Sequence, residues 1–237
     1  MKKNINSLNS LFIAHRGLHN GFDVIENTIP AFRKALQKNI PIELDAHILK
    51  DGNIVVFHDD TLKRLFGIDK KIKEFTYEQL CQYTFPNTNE HIPLFSEVLS
   101  LINGKVLLDI ELKYDQRIGK LEKKVSKMLD HYKGPFIVKS FHPLSVLWFR
   151  IHRNHYQRGQ LAEDVRKKRK FGYVLTYMFF HCLTKPDFIA YKKNDAHFKR
   201  VQSLRKKVPL LLYTIKSQEE YHQYKNYGDG YICENII

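Results

Sequence analysis

The feature that most limits the fold is a beat. Eight short apolar runs recur along the chain, separated by longer and mostly amphipathic stretches. The runs are Leu11–Ala14, Ile40–Asp45, Val106–Leu112, Phe136–Ser140, Gln157–Leu161, Phe188–Tyr191, Pro209–Thr214 and Gly230–Cys233. Helix-like segments lie between them at Thr28–Lys38, Phe95–Ile102, Gln116–His131, Ser145–Asn154, Asp195–Lys206 and Ser217–Tyr227, with an irregular stretch at Glu163–Leu183. Antiparallel neighbours can be joined by two residues, whereas parallel strands need a crossover of about a dozen or more, usually helical. The alternation therefore predicts an α/β fold with parallel strands, and eight of them invite closure into a (β/α)8 TIM barrel. A chain of 237 residues, 43% of them hydrophobic, is suited to one such domain over 1–237.

One connection is too long for a simple crossover. Residues 46–94 open with Lys50-Asp51-Gly52-Asn53, a turn between Ala46–Leu49 and Ile54–Phe57 that reads as a hairpin, and continue through a charged stretch with Pro86 and Pro93. This reads as a small insertion after the second strand. Thr28 ahead of Pro30 marks a helix start, because proline's missing N–H has no helical partner in a first turn. Ser217 with Glu220 fits a capping box. A Glu26-Asn27 pair just before a helix suits capping and loop bracing.

Composition narrows the setting. Lysine and arginine number 39 against 25 acids, a net charge of +14 that favours encounters with anions without naming one. Cys81, Cys182 and Cys233 are odd in number and widely spaced, which argues against a disulfide framework or structural zinc. Met1-Lys2-Lys3 is not followed by a signal-peptide core, and no run reaches the roughly 20 apolar residues of a membrane span. The expectation is a reduced, cytoplasmic protein, peripheral to membranes at most. No nucleic-acid motif is recognisable, so no nucleic-acid partner is expected.

The candidate chemistry sits at strand ends. Glu43 and Asp45 are two apart, so in a strand both leave the same face. Glu111 lies near the end of the third run, with Lys113 two residues on. Inward residues at the C-terminal ends of barrel strands meet at one mouth. Three carboxylates there would repel each other unless a cation lay between them, and one divalent metal ion with a taste for oxygen, Mg²⁺ or Ca²⁺, resolves that conflict. Ion pairs with nearby lysines or arginines would explain any one of these carboxylates alone. His15 and His58 each follow an apolar run and enter a polar loop, a placement suited to a general acid and a general base. Arg16 and Lys113 are suited to hold phosphate oxygens.

The motifs His15-Arg16-Gly17, Glu26-Asn27-Thr28, Glu43-Leu44-Asp45, Lys50-Asp51-Gly52, His58-Asp59, Arg64, Glu111-Leu112-Lys113 and Ser140-Phe141 together resemble those of glycerophosphodiester phosphodiesterases. They stand in that family's order and spacing, densely over residues 11–65 and more weakly onward. The resemblance implies a (β/α)8 barrel with an insertion after the second strand. It implies metal ligands at Glu43, Asp45 and Glu111, a catalytic pair at His15 and His58, and phosphate contacts from Arg16 and Lys113. It further implies attack on phosphorus by a neighbouring glycerol hydroxyl, with water completing hydrolysis to glycerol 3-phosphate and an alcohol. The chain departs from the pattern at Tyr213-Thr214, where Trp-Thr is usual, and at Cys233-Glu234-Asn235, where Thr-Asp-x-Pro is common.

Alternatives remain open at this level. The same site suits a small-molecule glycerophosphodiester, or lipid headgroup cleavage of the lysophospholipase D or sphingomyelinase D type, or a barrel that binds phosphate or membrane without catalysis. The basic run Arg166-Lys167-Lys168-Arg169-Lys170, followed by the aromatic-rich Phe171–Leu183, bears on this choice. It reads either as a buried helix behind a solvated charge run or as a peripheral membrane contact through 166–183.

Overall fold

The computed structural model describes residue 8 and residues 10–21, 23–114, 117–168 and 171–236. Met1-Lys2-Lys3, the expected helix start at Gln116, and Arg169-Lys170 of the basic run lie outside the described residues. In chain order the elements are β1 (Phe12–Ala14), α1 (Ile29–Gln37), β2 (Ile42–Ile48), β3 (Ile54–Val56), α2 (Lys63–Phe66), α3 (Tyr77–Leu80), α4 (Phe95–Ile102), β4 (Leu108–Leu112), α5 (Lys120–Leu129) and β5 (Phe136–Ser140). They continue with α6 (Pro143–His152), β6 (Arg158–Ala162), α7 (Gly172–Thr176), α8 (His181–Thr184), β7 (Phe188–Lys192), α9 (Lys199–Arg205), β8 (Leu210–Ile215), α10 (Gln218–Tyr224) and β9 (Gly230–Cys233). All eight expected strands form. The sheet order is β1-β9-β8-β7-β6-β5-β4-β2-β3 with a further β1–β2 pairing, the topology of a (β/α)8 barrel with β3 appended.

The chain forms two compact units, Ala14–Phe136 and Met1–Ile13 with Ile137–Ile237. In the first, β2 pairs in parallel with β4, setting Glu43 beside Asp109 and Asp45 beside Glu111. β2 runs on to Ile48, past the expected end at Asp45, because the hairpin partner β3 lies antiparallel along it with Ala46 opposite Val56. The 46–94 insertion has a core of its own, in which Leu49, Val55, Phe57, Leu62, Ile72, Leu80, Phe85 and Ile92 are buried. Burial of each such side chain contributes about 1.5–3 kcal/mol, enough for a segment with only one-turn helices to hold a fixed shape. α1 begins after Thr28 with proline in its first turn, as expected, but the Thr28 hydroxyl donates to the Ile25 carbonyl and does not cap the helix. The helix buries Ala31, Phe32 and Ala35.

In the second unit β5 to β9 pair in parallel, with Gly159 opposite Phe188, Ile189 opposite Leu210 and Leu211 opposite Gly230. Ile189, Tyr191, Val201, Leu204, Leu210 and Leu212 are buried in one cluster. At α10 the expected capping box is half made. The Ser217 hydroxyl accepts from the Glu220 N–H at 3.2 Å, but the Glu220 carboxylate takes the N–H of Lys216 at 2.7 Å and an ammonium bond from Lys193. The irregular stretch after β6 resolves into two short helices, α7 and α8.

Candidate active site

Alternation along β2 builds the floor of the site. Ile42, Leu44 and Ala46 face one way into apolar packing, and Glu43, Asp45 and His47 face the other; all are buried. Parallel register brings Glu111 alongside Asp45, so carboxylate oxygens of Glu43, Asp45 and Glu111 lie within 4.8 Å of one another, a group able to hold a metal ion. Oxygen donors at that spacing suit a hard divalent cation. The expected ligand trio is therefore brought together.

Cationic side chains surround it. The Lys113 ammonium lies 2.8 Å from an Asp45 oxygen and 2.6 Å from one of Glu111. Arg16 donates its backbone N–H to Glu43 at 3.1 Å, sets its guanidinium on Glu26 at 2.6 Å and approaches Asp45 at 3.4 Å. Burial alone would raise the Asp45 carboxyl, but Lys113, Arg16 and His58 outweigh it and hold Asp45 well below the carboxylate range. The reciprocal effect raises Lys113: burial opposes its charge, and Asp45 and Glu111 more than restore it.

His15 follows β1, half-buried and one residue before Arg16. The Arg16 and Gly17 backbones adopt φ of 57° and 80°, so the chain turns sharply after the strand. A Cβ at Gly17 would meet Ala31 at 2.9 Å, which is why the turn carries glycine where it packs on α1. His58 follows β3, and its Nδ1 donates to Asp59 at 2.6 Å. Asp59 is held in turn by the Arg64 Nε at 2.6 Å, and Arg64 also bonds Glu26 at 2.6 Å. Arg16, Glu26, Arg64, Asp59 and His58 thus form one chain of hydrogen bonds. Burial raises the Asp59 carboxyl, but the bonds from His58 and Arg64 bring it far below its ordinary value.

Of the capping and bracing expected of Glu26-Asn27 the structure shows the bracing, and His47 joins the site as well. Asn27 is no helix cap: fully buried, it donates its amide to Asp45 at 2.8 Å and braces a proposed metal ligand. Glu26 links two arginines. His47 lies two residues past Asp45 on the same face, with Nε2 3.3 Å from the His58 carbonyl. Burial and then Lys113 push its imidazole down to about 4, so it is neutral at physiological pH. Period-2 counting extended two residues along β2 would have found His47, and the same count along β4 would have found buried Asp109.

Residues 15–235 match the model of the glycerophosphoryl diester phosphodiesterase family. The chain belongs to that family. A glycerophosphodiester phosphodiesterase of Bacillus altitudinis is 34% identical over 164 residues, 64% of this chain and 66% of that protein. One of Caldanaerobacter subterraneus subsp. tengcongensis is 34% identical over 150 residues, 59% of this chain and 61% of the relative. The matches thus span somewhat less than two thirds of these relatives' length. Among solved structures, a phosphodiesterase of Oleispira antarctica in complex with the product sn-glycerol-3-phosphate superposes with a TM-score of 0.82 at 20% identity, covering 97% of this chain and 94% of the other. That likeness shows the barrel fold. No helix among the described residues is long and apolar enough to cross a membrane.

Proposed function

We propose that this chain hydrolyses glycerophosphodiesters to glycerol 3-phosphate and an alcohol, as a single barrel domain dependent on one divalent metal ion. The observation that carries the reading is the buried trio Glu43, Asp45 and Glu111, with carboxylate oxygens within 4.8 Å of one another beside Lys113 and Arg16. Family membership and the product named for the Oleispira antarctica structure support the substrate class. The trio would hold Mg²⁺ or Ca²⁺, which when bound orients substrate oxygens and offsets charge developing at phosphorus.

The remaining work falls to side chains of this chain. His15 and His58 act as the general acid–base pair. Asp59 fixes the His58 ring with Nδ1–H directed at the carboxylate, which leaves Nε2 as the atom that exchanges a proton with substrate. The Arg64–Glu26–Arg16 contacts keep that arrangement in place and align the Arg16 guanidinium for phosphate oxygens. Lys113 supplies a second positive charge for the phosphodiester.

The test is glycerol 3-phosphate release from glycerophosphocholine by chelator-stripped protein, with Mg²⁺ or Ca²⁺ restored and His15→Ala alongside. Activity that returns with metal and drops by about 10²–10⁴-fold in the variant supports the reading. Absence of release under either metal overturns it for this substrate, and cleavage of a lysophospholipid in the same assay would reassign the site to lipid headgroups.

A further inference from the structure

The segment between β6 and β7 is not the buried helix that its apolar content allows. α7 has five residues and α8 four, and neither hides its large side chains. Phe171 is 71% exposed, Tyr173 64%, Phe179 58%, Leu183 48% and Phe180 39%. Single exposed hydrophobics are ordinary on protein surfaces, but here five fall within thirteen residues, and Tyr173 and Phe179 meet the same Tyr177 ring at 6.1 and 6.3 Å. The backbone beneath them is anchored. Thr176 is buried and accepts the Val165 N–H on its hydroxyl at 3.0 Å and the Tyr191 hydroxyl on its carbonyl at 2.7 Å, and Met178, two residues on, is buried. Arg150 of α6 donates to the Leu183 carbonyl, tying that helix to α8, and α6 adds the exposed Leu144 and Ile151. These apolar groups are therefore displayed on a fixed support.

The charge carried by the segment itself has one sign. Residues 165–186 contain six lysines and arginines and neither aspartate nor glutamate. Lys167, Lys168 and Lys185 are exposed. Arginines lie over the rings: Arg200 is 5.9 Å from the centroid of Phe179, and Arg166 is 6.0 Å from that of Tyr173 and 4.9 Å from that of Phe198. Arg166 is also bonded to Asp164 at 2.6 Å, the nearest acid on the N-terminal side. Aromatic rings rimmed by lysine and arginine suit the boundary between headgroups and acyl chains, where the rings enter and the cations meet phosphate. A second copy of this chain would bring its own excess of positive charge, +14 overall, against the same patch.

We propose that the α7–α8 face docks on the surface of an anionic lipid bilayer, with Phe179 and Leu183 entering the interface and Lys167 and Lys168 facing the headgroups. This goes beyond the hydrolytic reading and does not depend on it, since the readout is binding.

The experiment is flotation of the full chain with vesicles of phosphatidylcholine alone or with about one quarter phosphatidylglycerol, at low and high salt. The expected result is binding to the anionic vesicles only, weakened by salt as the headgroup attraction is screened. Phe179→Ser with Leu183→Ser, and separately Lys167→Glu with Lys168→Glu, should each lower it about tenfold or more. All four side chains are exposed, so unchanged thermal unfolding identifies variants that fold normally. No binding to anionic vesicles, equal binding to neutral ones, or full retention in either variant would overturn the proposal. So would a concentration-dependent dimer abolished by the Phe179 and Leu183 changes, which would assign the face to a second copy.

Discussion

At the scale of single residues, two positions without reactive side chains control the arrangement around Asp45. Gly17 combines φ of 80° with a Cβ position 2.9 Å from Ala31. Gly17→Ala is therefore expected to destabilise the protein by about 1–3 kcal/mol through strain and overpacking, read as a lower urea midpoint at unchanged slope. It should also lower activity, because the same turn sets Arg16 and His15. Asn27 donates a buried hydrogen bond to the charged Asp45. Loss of such a bond in Asn27→Ala is expected to cost about 1.5–3 kcal/mol. Equilibrium denaturation checks the cost, and a higher metal concentration for half-maximal hydrolysis checks the bracing role. Both residues stood in readable motifs, yet Asn27 reads locally as a helix cap because its actual partner, Asp45, is distant in sequence. Glu26 was obscure for the same reason: its partners Arg16 and Arg64 lie on either side of it along the chain and meet only in the fold.

At the scale of elements, the strands were legible and the short helices were not. An apolar run of four or five residues declares a strand, and all eight runs became strands within a few residues of their expected bounds. A four-residue helix such as α2 or α3 completes about one turn, too little for a 3.6-residue period to appear in the sequence. The insertion is therefore held by its core. Phe85 is fully buried in that cluster and packs on Phe66 with ring centroids 4.9 Å apart. Phe85→Ala should destabilise by about 3–5 kcal/mol, measured by denaturant or thermal unfolding. Because His58, Asp59 and Arg64 belong to the same insertion, loss of hydrolysis on warming should begin at a lower temperature in this variant than in the wild type. The α7–α8 segment shows the complementary case. Its apolar content was visible, but whether those side chains faced inward was not, since helices this short have no full apolar stripe to bury.

At the scale of the whole molecule, the proposed metal links stability to the site. An ion that binds the folded chain at about a hundred times its dissociation constant adds about 2.7 kcal/mol. For a chain of this size that is a rise in Tm of about 5–10 °C. Mg²⁺ or Ca²⁺ added to chelator-stripped protein should produce such a rise, and Glu111→Gln should reduce it; calorimetry or dye-monitored unfolding gives the answer. By itself the sequence determined the number of strands, their parallel connection through helices, and the reactive residues placed at strand ends. Each of those follows from local composition and spacing. Only the tertiary structure decided that Asp45 lies beside Glu111, that Asn27 and Lys113 bond to Asp45, and that Phe171, Tyr173, Phe179 and Phe180 face outward. Those contacts depend on strand register and on packing between segments far apart in the chain, which no local pattern encodes.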